Sequence, residues 1–97
     1  MKKSQKEIIS EVEFMPIIPR KGVVAFVSFT YDKKFRIQDC AIVTRPQGGY
    51  RLSFPIKTLN NGKTIQSIYP ISKELGNFIS DNVLKVYENF IKEKVKG

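Results

Sequence analysis

"GVVAFVSFTY", residues 22–31, is apolar on both parities of a β-strand. Successive side chains of a strand point to opposite faces, so Val24 and Phe26 face one way. Ala25, Val27, Phe29 and Tyr31 face the other. A strand of this kind belongs in the middle of a sheet, covered on both sides. The rest of the chain has to supply its neighbours and its cover.

The neighbours are short apolar or alternating segments at about 11–18, 35–45, 50–57 and 64–70, separated by turn signals. Pro16 and Pro19 make the first an edge strand, because proline has no N–H to give to a ladder. Asp32-Lys33-Lys34 reads as a three-residue hairpin loop, and Pro46-Gln47-Gly48-Gly49 as another. Asn61-Gly62 reads as a two-residue type I′ turn pairing Thr58 with Ile65, Ile56 with Ser67 and Phe54 with Tyr69. That register puts Leu52, Phe54, Ile56, Ile65 and Tyr69 on one face and Arg51 and Lys57 on the other. From Ser72 to about Lys94 the pattern is helical, with Ser72 as N-cap and Glu74 in the first turn, where a negative charge suits the helix dipole. The expected fold is α+β, an antiparallel meander of about five strands followed by one long C-terminal helix.

One helix covers one sheet face, and the second face of the central strand is left open. On the helix, Leu75, Ile79, Val83, Val86 and Phe90 fall within about 80° of arc, with Leu84, Tyr87 and Ile91 on an adjoining flank. The apolar arc is wider than one sheet requires. Both features predict a homodimer joined through the helix and the uncovered sheet face, with Leu84, Tyr87, Phe90 and Ile91 at the interface.

The chain has 97 residues, which fits a single domain over 11–97 behind a lead-in at 1–10. No apolar run approaches the roughly 20 residues of a membrane span, and the N-terminus lacks a signal-peptide hydrophobic stretch. A cytoplasmic protein without membrane contact is expected. There is no histidine, and Cys40 is the single cysteine. His-based acid–base catalysis, Ser-His and Cys-His nucleophile pairs and Cys-based zinc sites are thereby excluded. Cys40 reads as a small core residue. No glycine-rich phosphate loop occurs, so neither catalytic residues, cofactor, metal nor small-molecule substrate is expected. Asp39 shares a predicted face with Val27, Ile37 and Ala41, and an acid there is expected to hydrogen-bond a loop or pair with a cation.

Net charge is +8, which favours anionic partners. Residues 33–73 hold eight basic side chains against one acid, Asp39. Arg36, Arg51, Lys57, Lys63 and Lys73 from that set are the candidate nucleic-acid contacts, DNA first and RNA second. No recognition helix or zinc knuckle accompanies them. The alternative is a protein-interaction module whose charge serves solubility.

Taken in order, these residues resemble the stage V sporulation protein G (SpoVG) family of septation regulators. "SFTYDKKFRIQDCAIV" (28–43) is similar to the family's Ser-x-Thr-x-Asp…Phe-x-(Val/Ile)-x-Asp pattern. Pro55 and Lys57 match its Met-Pro-x-(Lys/Arg) segment, and Asn61-Gly62 stands where it usually has Asp-Gly. Tyr69-Pro70-Ile71 matches its His-Pro-Ile entry to the helix, and Val83, Leu84 and Tyr87 match the helix. The chain departs from the family at Thr58, where an arginine is usual, and at Gly76-Asn77-Phe78, where Arg-Gly-Lys is frequent. The resemblance implies a small dimeric α+β regulator that binds DNA and RNA and influences septum placement, sporulation and expression of surface genes.

Overall fold

The structure is a computed structural model describing residues 8–96, with side chains described for residues 8–93. Most of the expected lead-in therefore lies outside the described residues. Four antiparallel strands, β1 (Ile9–Arg20), β2 (Val23–Tyr31), β3 (Phe35–Thr44) and β4 (Tyr50–Ser53), form a sheet in chain order. Strands β5 (Ile56–Thr58) and β6 (Thr64–Gln66) form a separate hairpin, and the helix α1 (Lys73–Lys96) closes the chain. β1 begins earlier than predicted, because Ile9 is buried and pairs with Tyr31. The proline-bearing strand is an edge, and β2 lies between β1 and β3, as its two apolar faces require.

The segment expected as one strand at 50–57 is two. Pro55 has no N–H for the ladder, and Phe54 turns into the core at 8% exposure. The chain leaves the main sheet there and restarts as β5.

The helix covers one face of the sheet. Ala25, Val27 and Phe29 from β2, with Ile37, Cys40 and Ile42 from β3, are buried beneath Ile79, Val83 and Tyr87. The buried line on the helix is thus i, i+4, i+8 through Tyr87, and Val86, expected on that line, is 41% exposed. Tyr87 stands edge-on to Phe14 of β1 (5.3 Å) and Tyr50 of β4 (5.2 Å), and Phe90 lies 5.1 Å from Phe14. This ring cluster fastens the C-terminal half of α1 to both edges of the sheet. At its other end the Ser72 hydroxyl accepts from the Leu75 N–H at 3.1 Å, the predicted N-cap. Gly76 lies where a Cβ would come within 3.3 Å of the Pro70 ring, so a small residue lets the preceding segment pack close against the first turn.

Candidate nucleic-acid interface

The uncovered sheet face decides where the candidate residues lie. Its centre is apolar: Met15, Phe26 and Ala41 stand side by side across β1, β2 and β3, and Val43 pairs with Val23. Phe26 is 37% and Met15 66% exposed, so within one chain the central strand is covered on one side only.

Of the four register shifts in the sheet, two are β-bulges opposite Ser28 and Phe29. Between Phe29–Ile37 and Val27–Cys40, residues 38 and 39 both stand opposite Ser28. Asp39 takes the left-handed conformation, φ 65°. The extra residue reverses the alternation, so Ile37 and Cys40 both point inward and Asp39 points outward, exposed, on the face of Phe26 and Ala41. The expected company of Val27 and Ile37 is therefore wrong for Asp39, and so is the expected partner. Its carboxylate makes no hydrogen bond or ion pair to another described residue. Aspartate is among the few residues that adopt this backbone readily, which accounts for it locally. On β1, residues 11 and 12 stand opposite Phe29 in the same way, with Glu11 at φ 49°.

The Glu11 bulge organises one end of the face. Thr30 Oγ1 donates to Glu11 Oε1 (2.8 Å), while Arg36 Nη1 donates to the Glu11 carbonyl (2.7 Å) and to Thr30 Oγ1 (3.0 Å). Arg36 Nη2 also pairs with the Glu13 carboxylate. Arg36 is neutralised there and stands apart from the other candidates.

At the opposite end, Arg51 from β4 and Lys57 from β5 line one groove beside Phe26, Ala41 and Val43. Lys21 joins them from the β1–β2 turn. Lys21 and Gly22 both have positive φ (52° and 86°), as a two-residue type I′ turn demands, and Arg20 pairs with Val23. Lys21 is not among the cations expected from the sequence. Its signal is Lys21-Gly22 standing between two apolar runs, a lysine being an uncommon first residue in such a turn. Asp39 is the acid in this groove.

The β5–β6 register also corrects the reading. Lys57 pairs with Ile65 and Ile56 with Gln66, one residue away from the expected register. Gly62 N–H donates to the Leu59 carbonyl (2.9 Å) and Leu59 N–H to the Lys63 carbonyl (2.7 Å), so the loop has three residues, 60–62. Only Gly62 of these has positive φ, 86°, which is a type I turn closed by a glycine bulge. Asn61 Oδ1 accepts from Lys63 N–H at 3.0 Å, and that bond favours the observed turn over type I′. By alternation, Lys57, Lys63, Leu59 and Ile65 share one hairpin face. Phe54 and Tyr69 do not pair, and Ile56 (59%), Ile65 (49%) and Tyr69 (54%) are exposed.

Lys73 is exposed at the first position of α1 and does not line the groove. Of the expected dimer residues, Tyr87 is a core residue of the single chain, Phe90 packs with it, and Leu84 and Ile91 are half-buried on the flank of α1.

Little reactive chemistry accompanies these groups. Burial, then the Asp39 charge, pushes the Cys40 thiol from its ordinary 9.0 up to about 12, so it is a poor nucleophile. Burial and then Tyr50 raise the Tyr87 phenol. Among the described residues, no cluster of three acidic, cysteine or histidine side chains could hold a metal ion. No described helix is long and apolar enough to cross a membrane. A second groove, of about 200 Å³ between α1, the segment 68–70 and the adjoining ends of β2 and β3, is lined by apolar side chains including Phe35, Ile68 and Leu75.

Fold and site together define a small α+β protein with a bare sheet face bordered by cations at one end. The SpoVG family model matches residues 8–89, and the chain belongs to that family, a regulatory family without known catalysis. It is 28% identical over 80 residues to a Treponema denticola protein named "Putative septation protein SpoVG", a match covering 82% of this chain and 85% of the relative.

Proposed function

We propose that this SpoVG-family septation protein is a regulator that binds nucleic acid as a homodimer. The observation that carries the reading is the convergence of Lys21, Arg51 and Lys57 on one groove, with Lys63 on the hairpin face of Lys57. None of the four is ion-paired to another described residue, so their charge is available to phosphates, whose neutralisation releases counterions from the nucleic acid. Arg36, spent on Glu13, contributes little. Lys73 adds a more distant positive charge.

The dimer joins the flanks of α1 through Leu84 and Ile91, because the ring cluster already accounts for Tyr87 and Phe90. That arrangement leaves the groove open.

The test is a titration of labelled random-sequence duplex DNA and single-stranded RNA at two salt concentrations, followed by anisotropy. The reading requires binding to at least one of them that weakens steeply with salt. Absence of binding at low salt would reject it in favour of a protein-interaction module.

A further inference from the structure

We propose that the bare sheet face is a platform for single-stranded nucleic acid, on which Phe26 stacks against a base while Lys21, Arg51 and Lys57 hold the adjoining phosphates. The inference rests on the nucleic-acid reading above and adds the form of strand and the group that senses its bases.

Phe26 sits on β2, an inner strand of the sheet, yet more than a third of it faces solvent. Its cross-strand neighbours leave the ring open, because Ala41 is too small to cover it and Met15 is itself exposed. Every nucleobase presents a π-face, whereas bases inside a duplex are already stacked on each other, so a ring fixed on a sheet reads unpaired strands. The ring also lines the cationic groove. Lys21, Arg51 and Lys57 line this groove of about 690 Å³ with it, and Asp39 is the acid there; Asp39 also lines the adjoining hollow, together with Glu13, which is paired with Arg36. A strand laid across this face has its phosphates drawn to the cations and repelled by the Asp39 carboxylate. Its bases turn toward Phe26 and Asp39, whose carboxylate can accept from base amino groups. Charge complementarity therefore favours a polyanion with aromatic substituents over an apolar partner. A second copy of the chain is the competing occupant.

The experiment compares a mixed-sequence single strand with an abasic strand of equal length, which carries the phosphates without the bases. The wild-type protein should bind the mixed-sequence strand more tightly, by roughly five- to a hundredfold if one base stacks. Phe26→Leu should remove most of that difference while leaving the abasic affinity and the salt slope unchanged. The chain contains no tryptophan, so Phe26→Trp provides a single tryptophan that can be excited selectively. Its emission should be quenched by the mixed-sequence strand and not by the abasic one. Equal wild-type affinity for both strands would overturn the stacking proposal and leave the phosphate reading standing. Binding to neither would remove both. A fall in sedimenting mass on Phe26→Leu, with thermal unfolding unchanged, would assign the face to a second copy and overturn the proposal as well.

Discussion

Asp39 shows how backbone conformation can explain a residue that looks misplaced. Read as a regular strand, β3 puts a carboxylate in the core, which burial would penalise by several kcal/mol. The bulge instead turns it to solvent, at the cost of a left-handed backbone that aspartate and asparagine tolerate. Asp39→Asn should therefore change stability by no more than about 0.5 kcal/mol, since an exposed residue keeps its backbone preference. Asp39→Val should cost about 1–2 kcal/mol, because a β-branched residue is strained at positive φ. Denaturant unfolding of both variants checks this; equal losses would mean the carboxylate itself is structural. The inward neighbour, Cys40, is fully buried. Its folded-state pKa of about 12 lies above its ordinary 9.0, so between these values the native state holds a proton that the unfolded chain releases. Stability should accordingly fall as pH rises above 9, and less steeply in Cys40→Ala, as pH-dependent denaturation would show. An identical alkaline slope in that variant would mean other groups dominate.

At the scale of elements, alternation, prolines and caps made β1 to β3 and the helix start legible in the sequence. What escaped was local turn chemistry. Bulges at Glu11 and Asp39 insert single residues that no periodicity announces, and each reverses which parity faces the core. The hairpin register turned on whether Asn61-Gly62 holds two positive-φ residues or one. The answer rests on a single side-chain bond from Asn61. Among the candidate site residues, Arg51 and Lys57 line one groove although they stand on different strands. Arg36 was not recognisable as ion-paired, because Glu13 reaches it only through the pairing of three strands. The helix arc likewise placed Tyr87 on a flank, because sequence spacing does not show that Phe14 and Tyr50 rise from opposite sheet edges to meet it. Tyr87→Ala should consequently destabilise the chain by about 3–5 kcal/mol, as removal of a large core ring does. Ile91→Glu should instead halve the sedimenting mass with a much smaller change in thermal stability. If Ile91→Glu leaves the mass unchanged, the helix flank does not join the protomers.

For the whole molecule, the layout is a division of labour between two sheet faces. One is filled by the helix and holds the fold together; the other stays bare, with its cations gathered at the end nearest β4 and β5. The β5–β6 hairpin extends that cationic end, since the observed register turns Lys57 and Lys63 to the same side. Both are exposed, and their replacement should cost roughly 0.5 kcal/mol or less per site. Affinity should respond far more than stability. Removing a cation that neutralises one phosphate flattens a plot of log K against log salt by about 0.9 for duplex DNA and about 0.7 for a single strand. The most direct measurement is therefore that slope for the wild type, for Lys57→Ala with Lys63→Ala, and for Lys2→Ala with Lys3→Ala as a charge-matched control. The hairpin pair should reduce the slope by somewhat under two units and weaken binding to all sequences alike, while the control leaves it nearly unchanged. Equal losses in the two double variants, or no loss in either, would contradict a nucleic-acid interface at the hairpin.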